Sequence, residues 1–299
     1  MKLSEHLGRL GLSNSEVKKA LSNGKVFFHG IPTQDGGRDI EPFQVELRLD
    51  ATRLTPGRDL VIIHKDKDIV VFWKPSGMLS VPAGKVGGHL NALGLVSKLT
   101  RSTALAVHRI DQGTSGLMMV ALNREAQLHI KDQLEKHTVE RRYLAIVLGR
   151  TPDKEWSVEN HLVDDRGDGL RGSVEPPLPT FARKAKTQFT LLGRVGKKAN
   201  LVEAKLHTGR THQVRIHLSE ADMPILGDDR YGNAASQRIA TRLCLHAVVL
   251  GIKHPSTGEQ LRFTCPLPDD MEKLRRSLTH EAKHPVQKRK KSRRLKKHR

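Results

Sequence analysis

The sequence predicts an α+β fold, with a larger domain built on a mixed, largely antiparallel sheet. Apolar runs of strand length recur through residues 59–278, and only a few stretches with helical spacing separate them. A doubly wound parallel sheet needs a helix between most of its strands, so this order of elements argues against one. A small α/β unit is expected before this domain, and a disordered basic tail after it.

The N-terminal unit, residues 1–52, should contain two short helices. Leucines at helical spacing predict the first helix over 3–10. Ser13 followed by Glu16 offers a capping box for the second helix, whose apolar face continues to Gly24, a natural C-terminal stop. Two amphipathic helices this close together need a shared partner for their apolar faces, so a small sheet is expected next to them.

A short strand over 26–28, turned by His29 and Gly30, supplies that partner. Lys18, Lys19 and Lys25 fall outside the apolar face and are candidate RNA contacts. Two helices that lead into a small sheet with an exposed basic side resemble an S4-type RNA-binding domain. A generic helical cap on the following domain remains the alternative.

The larger domain, residues 59–278, follows a turn-rich linker at 55–58. Apolar runs between chain breakers predict strands over 69–72, 117–122, 143–148, 187–192, 201–206, 243–250 and 260–264. Helical spacing marks 124–137, and Thr211 offers an N-cap for a further helix over 211–219.

The charge is strongly basic and indicates a polyanionic partner. The formal net charge is +20 and the pI is about 10.2. Residues 283–299 contain ten Lys and Arg and no acid, so half of the excess lies in the folded part of the chain. A tail over 279–299 is expected to be disordered when free. A tail that serves solubility alone is the alternative, which the shared sign of both parts disfavours.

Cysteine usage and hydropathy bound the class of protein. Cys244 and Cys265 are too few for a disulfide scaffold or a cysteine-based zinc site and suit a reducing cytosol. No apolar run has the length of a signal peptide core or a membrane span. A cytoplasmic monomer is expected.

The most informative stretch is residues 108–120, in which a basic pair leads into Asp111 and a short Gly/Thr/Ser turn before an apolar run. Such a turn places a carboxylate at the end of a rigid strand, open to a cleft, and the flanking Arg109 suits an anionic substrate. Taken alone, an Asp before Gly-Thr-Ser is more often a turn cap.

The stretch 108–120 resembles the HRLDxxTSG signature of the RluA-type pseudouridine synthases. These enzymes break the glycosidic bond of a uridine in RNA, rotate the base and rejoin it through carbon. Further stretches resemble other motifs of this family in the family's order, at 69–77, 139–145, 208–217 and 224–232. Trp73 stands where the family has Asn, and Arg141 stands where it has Lys.

The resemblance implies roles for three residues. Asp111 would be the catalytic carboxylate, which either attacks the sugar or abstracts a sugar proton to give a glycal. A carboxylate suits both routes, and the sequence does not choose between them. Arg215 would pair with Asp111 and keep it ionised. Tyr143 would lie under the base and assist removal of the C5 proton.

RNA contacts are expected next to this site. The target base must be extruded from its stack, and the resemblance gives Arg109 the task of holding a phosphate or filling the gap. His108 and Arg210 are further candidate RNA contacts. A structural ion pair is the plain alternative for an arginine beside a carboxylate.

Metals and cofactors are not expected, because the reaction is an isomerisation of the substrate's own atoms. His207, His212 and His217 recur every five residues, a spacing that brings them together on neither a strand nor a helix. Cys244 and His246 lack further ligands nearby.

The favoured function is therefore an RNA pseudouridine synthase, with ribosomal RNA as the preferred substrate because an S4-like unit suits large structured RNA. Transfer RNA remains open as a substrate. A non-catalytic RNA-binding or ribosome-assembly factor of the same fold is the alternative from another class.

Overall fold

Two β-sheets organise the chain. A computed structural model describes residues 1–51, 53–55, 57–82 and 90–283. Its helices are α1 (Leu3–Arg9), α2 (Asn14–Ser22), α3 (Ala92–Thr100), α4 (Arg124–Glu135), α5 (Gln213–Glu220), α6 (Ala234–Ile239) and α7 (Asp269–Lys283). Its strands are β1 (Val26–Phe28), β2 (Ile31–Pro32), β3 (Val45–Leu47), β4 (Val61–Lys65), β5 (Ile69–Lys74), β6 (Leu105–Ala106), β7 (Ser115–Ala121), β8 (Glu140–Leu148), β9 (Glu155–Val163), β10 (Gly172–Val174), β11 (Arg183–Val195), β12 (Ala199–Leu206), β13 (Leu245–Lys253) and β14 (Gln260–Thr264).

The N-terminal unit has the expected two helices and small sheet. Strands β2, β1 and β3 pair in that order, all antiparallel, and the helices bury their leucines and valines in a separate apolar cluster with the sheet. The capping box of α2 is present: the Ser13 hydroxyl accepts from the Glu16 amide, and the Glu16 carboxylate accepts from the Ser13 amide at 2.8 Å. Leu10 departs from the expectation, because it follows the end of α1 and is 56% exposed.

The N-terminal unit contacts α7 of the larger domain through charged and polar groups. Asp269 accepts hydrogen bonds from the Thr33 hydroxyl at 2.7 Å and from the Arg38 guanidinium at 2.9 Å. Arg276, two turns further along the helix, forms an ion pair with Asp35. Since α7 continues to Lys283, the expected start of the tail at 279 is too early. From residue 284 on, the expected disordered tail lies outside the described residues.

The larger sheet confirms the predicted mixed, largely antiparallel arrangement. It has 11 strands, with the path β10-β9-β11-β12-β8-β13-β7-β5-β4, β14 on β13 and β6 on β7. Within the described strands, β13 and β7 are the parallel pair, and the other pairings are antiparallel. Each strand predicted for this domain overlaps an observed one.

Apolar cores cover both faces of this sheet at its centre. On β5, alternate residues enter different clusters: Val70 and Phe72 face the core shared with α3, α5 and α7, whereas Val71 and Trp73 face the core shared with α4. Every residue of β5 and β7 is buried. Burial on both faces explains why these strands appear in the sequence as continuous apolar runs.

Both helices and strands of the larger domain differ from the sequence-based expectation. Helices α3, α6 and α7 and strands β4, β6, β9 and β10 were not predicted. The expected helix at 211–219 exists as α5, but its N-cap is His212, not Thr211, and no side chain caps it. No helix in the described part of the chain is long and apolar enough to cross a membrane.

Candidate active site

Asp111 lies in a tight turn between β6 and β7. The Thr114 amide donates to the Asp111 carbonyl at 3.1 Å, which closes the turn immediately before the buried strand β7. The Ser76 hydroxyl donates to the Gly113 carbonyl at 2.7 Å and joins this turn to the one that ends β5. The turn that follows β5 and the turn that precedes β7 are thus hydrogen-bonded to each other, which fixes the backbone of Asp111. The side chain of Asp111 remains 17% exposed.

Lys74 is the ammonium that holds these two turns together. It is fully buried and donates to the carbonyls of Pro75 at 3.0 Å, Met78 at 2.8 Å and Gln112 at 3.2 Å. Burial lowers the pKa of Lys74 to about 7, while the negative charge of Asp111 opposes this shift. The lysine thus binds main-chain oxygens around Asp111 and adds positive potential to its surroundings.

Arg215, on α5, meets Asp111 but binds another carboxylate more closely. Its Nη1 lies 3.5 Å from Asp111 Oδ2. Its Nε and Nη2 donate to the two oxygens of Asp228 at 2.8 and 2.7 Å, and Nη2 reaches Asp229 at 3.2 Å. Burial is the largest single influence on Arg215 and lowers its pKa, but the hydrogen bond to Asp228 and the charges of Asp228, Asp111 and Asp229 together outweigh it, so the pKa is raised. The expected pairing with Asp111 exists, and Asp228 is the fork's main partner.

Tyr143 lies on β8, is buried, and lines a cavity that Asp111 also lines. Burial raises the pKa of its phenol to about 12, with Arg141 lowering that pKa and Asp111 raising it. Tyr143 is therefore a neutral hydroxyl at physiological pH. The sheet places it opposite Ala204 of β12 and Ala247 of β13, and these small residues leave its ring room at the cavity wall.

His212 is a second neighbour of Asp111, although its spacing in the sequence raised only the question of a metal site. Its φ is +60°, in the left-handed region that costs a non-glycine residue about 1–2 kcal/mol. Its Nε2 lies 3.9 Å from Asp111 Oδ1, and its Nδ1 shares a 2.9 Å hydrogen bond with the Tyr231 hydroxyl. Burial lowers the pKa of His212, so the ring is mostly neutral at pH 7.

Two cavities meet at Asp111. One, of about 600 Å³, is lined by Asp111, Tyr143 and Arg215 together with Arg141 and Arg210. The other, of about 800 Å³, continues on the far side of Asp111. Arg109, Asp111, His212 and Arg215 line both cavities, so a continuous groove passes the carboxylate.

The expected RNA contacts next to Asp111 differ in their surroundings. Arg109 is exposed in the groove and has no ion pair with any residue that the structure describes. Arg210 is exposed and donates from Nε to the Lys184 carbonyl at 3.0 Å. His108, a further expected RNA contact, has a neutral ring: burial lowers its pKa to about 3, and its Nε2 accepts from the Met119 amide at 3.1 Å. Through this hydrogen bond, the neutral ring of His108 stabilises the backbone of β7.

The three lysines of the N-terminal unit do not line the groove at Asp111. Lys18 and Lys19 are exposed on α2. Lys25 is half-buried and donates to the carbonyl of Ala51, so it stabilises the unit's own backbone. Any contact that Lys18 and Lys19 make with RNA must therefore lie at a distance from Asp111.

The three regularly spaced histidines do not form a metal centre. His217 is fully buried and its Nε2 lies 3.0 Å from Asn160 Oδ1, whereas His212 faces Asp111. Within the described ranges, the group with ligand atoms within 4.8 Å of one another is Asp66, Asp68 and His254. These three residues line neither cavity at Asp111, and they form hydrogen bonds with one another and with neighbouring backbone.

Comparison with known proteins identifies relatives along most of the chain. The model of the family described as RNA pseudouridylate synthase matches residues 68–220. An uncharacterized RNA pseudouridine synthase of Bacillus subtilis is 33% identical over 276 residues, which cover 88% of this chain and 88% of the relative. The ribosomal large subunit pseudouridine synthase D of Vibrio cholerae is 32% identical over 294 residues, covering 91% and 88%. Among solved structures, human RNA pseudouridylate synthase domain containing 4 superposes with a TM-score of 0.60 at 26% identity, covering 73% of this chain and 92% of the human chain.

Proposed function

Because the chain belongs to the family of RNA pseudouridylate synthases, we propose that it isomerises uridines in ribosomal RNA at the groove around Asp111. The observation that carries this proposal is the partly exposed carboxylate of Asp111, which lies 3.5 Å from the buried guanidinium of Arg215. The relative named ribosomal large subunit pseudouridine synthase D supports ribosomal RNA as the substrate.

Asp111 supplies the reacting carboxylate in this proposal. As a nucleophile it would bond to the sugar carbon as the glycosidic bond breaks, and as a base it would take a sugar proton. Both roles need an ionised carboxylate that is fixed in place. Arg215 supplies positive charge, the protonated form of Lys74 adds to it, and the linked turns supply the rigidity.

Tyr143 contributes a neutral ring to the uridine pocket. Removal of the C5 proton by this residue would require a phenolate, and a pKa of about 12 makes that form rare at neutral pH. We therefore assign Tyr143 to packing against the extruded base, with its hydroxyl free to donate or accept a hydrogen bond.

RNA binding rests on charge around the groove and on the N-terminal unit. Arg109 and Arg210 are exposed beside the cavity, and Lys18 and Lys19 are exposed on α2. We propose that residues 1–52 act as an S4-like RNA-binding domain that adds affinity for structured RNA. We further propose a cytoplasmic location and a monomeric enzyme, as the sequence suggests.

Release of tritium from RNA labelled at uridine C5 tests the proposal directly. The wild-type protein should release tritium from a transcript of large-subunit ribosomal RNA, and Asp111→Asn should not. Release from a transfer RNA transcript alone would overturn the ribosomal assignment. Binding of both RNAs without any release would instead indicate a non-catalytic RNA-binding protein. Pseudouridines in the RNA of wild-type cells that are absent from cells lacking the gene would then identify the target uridine.

A further inference from the structure

Arg141 is a buried arginine that no acid neutralises within the described part of the chain. It is 9% exposed, its Nε has no hydrogen-bond partner, and no ion pair involves it. Other well-buried arginines are paired: Arg38 binds Asp269 at 2.9 Å, and Arg215 binds Asp228 at 2.7 Å. An uncompensated buried charge costs several kcal/mol, so its retention needs a reason.

The groups around Arg141 disfavour its charge in the absence of a ligand. Burial is the main cause that lowers the pKa of its guanidinium, and the neighbouring charge of Arg210 lowers it further. Tyr143, which acts in the opposite direction, is neutral at physiological pH. His108 is neutral too, since burial and Arg141 lower its pKa to about 3. A guanidinium nevertheless stays protonated, so this site has an unsatisfied demand for an anion.

Gly209 provides the space in which this guanidinium lies. A Cβ atom at position 209 would come within 2.4 Å of Arg141 Nη1. Arg141 and Tyr143 are two residues apart on β8 and line the same cavity. Successive residues on one face of a strand are about 7 Å apart, roughly the spacing between a nucleotide's base and its backbone.

We propose that Arg141 binds a phosphate of the RNA backbone next to the uridine held in the pocket. The proposal rests on the proposed function, because it takes the ring of Tyr143 as the surface beneath the base. The planar fork of an arginine matches the oxygens of a phosphate, and the nearby Arg210 adds a second cation. Arg141 is thus a binding and positioning residue for the target nucleotide.

Phosphate-ethylation interference tests this proposal once the uridine that the protein modifies has been mapped in the same RNA. Ribosomal RNA ethylated at random phosphates is bound to the protein, and the phosphates whose neutralisation blocks binding are mapped. Wild-type protein should show interference at a phosphate adjacent to the modified uridine. Arg141→Met should lose that signal alone and bind unmodified RNA about 10-fold to 100-fold more weakly, the range for a charged hydrogen bond. Arg194→Met, which removes an exposed arginine of β11, is the charge-matched control and should retain the full pattern.

A further measurement on Arg141→Met and one further variant separate binding from folding. Because Arg141 has no ion-pair partner among the residues that the structure describes, Arg141→Met should leave the melting temperature of the RNA-free protein unchanged or higher. Gly209→Ala should displace the guanidinium and weaken the same interference signal. A lower melting temperature with an unchanged interference pattern would show a structural role and overturn the proposal. Loss of tritium release with an unchanged pattern would overturn it in favour of a contact with the base. If the wild type releases no tritium from ribosomal RNA, the proposed substrate fails, and the RNA that it does modify serves as the interference probe.

Discussion

Of the three carboxylates that contact Arg215, we expect Asp228 to matter for the stability of the fold and Asp111 to matter for catalysis. Asp228 is 1% exposed and accepts hydrogen bonds from Nε and Nη2 of Arg215. Asp111 is 17% exposed and lies 3.5 Å from the same guanidinium, at the limit of a hydrogen bond. We therefore expect Asp228→Ala to destabilise the fold, and Asp111→Asn to abolish activity while the fold survives.

The size of each effect follows from burial. Removing one partner of a buried ion pair costs about 3–5 kcal/mol, because the remaining charge stays buried. For a domain of this length, that loss lowers the melting temperature by about 6–20 °C. Asp111→Asn keeps the shape of the side chain and weakens only its 3.5 Å contact with Arg215. The free energy of unfolding should therefore change by about 1 kcal/mol or less. Its amide is a poor base and nucleophile, so turnover should fall about 10³-fold or more.

Thermal unfolding and single-turnover tritium release at saturating RNA measure the two effects side by side. Asp228→Asn is the milder companion, since it retains one acceptor for the fork. Asp229→Asn is the matched control, because Asp229 contacts the same guanidinium at 3.2 Å but is 92% exposed. It should leave stability nearly unchanged. If Asp111→Asn keeps a near-normal rate, Asp111 is only a turn cap and the assignment of the groove fails.

The remaining predictions concern acid stability, the sheet centre and the RNA-binding extensions. Burial lowers the pKa of His217 to about 4 and that of His246 to about 3, both below the unfolded value of 6.5. Between each folded-state pKa and 6.5, the unfolded chain therefore binds more protons than the folded chain, so acid favours unfolding. In this pH range, chemical denaturation should show the free energy of unfolding falling by about 1.4 kcal/mol per histidine for each pH unit below 6.5. Gly116→Ala should prevent folding, seen as insoluble protein on expression, because its Cβ would come within 2.2 Å of the Ala247 carbonyl oxygen at a φ of +115°. Deletion of 284–299 should reduce the salt dependence of RNA binding by about 0.7–0.9 for each phosphate that the tail neutralises, without slowing turnover at saturating RNA. Deletion of 1–52 should leave a folded enzyme that needs more RNA to reach the same rate, and an insoluble product would show that the two units depend on each other for folding.

The strands were predictable because burial leaves a local signature. Strands β5 and β7 are covered on both faces, so nearly every position is apolar or small and the run is visible in the sequence. Strand β9 has no such signature, because exposed Glu155, Ser157 and Glu159 alternate with partly buried residues in its first half. Its place in the sheet is set by pairing with β10, which follows it closely, and with β11 further along the chain. Pairing between distant segments is information that a local pattern does not contain.

The candidate site was only partly predictable, for a related reason. Asp111 precedes a recognisable strand signal, and Arg215 and Tyr143 were expected near it from motif resemblance. The hydrogen-bonded ion pair between Arg215 and Asp228 joins a helix to a turn 13 positions later, and the composition of neither segment predicts it. His212 directly precedes α5 and faces Asp111, a placement that its regular spacing with other histidines does not indicate. His108 has the sequence context of a basic contact, whereas the burial that neutralises it is a tertiary property.

Three energetically unfavourable features of the fold lie around Asp111, and the neighbouring sheet compensates for them. Lys74 is a buried ammonium, Arg141 has no counter-ion among the described residues, and His212 adopts a left-handed φ of +60°. All three lie around Asp111, which directly precedes β7, the strand that pairs with β5, β6 and β13. Unfavourable groups persist only where the surrounding structure holds them in place. The centre of the sheet therefore stabilises the fold and also holds Asp111 in position.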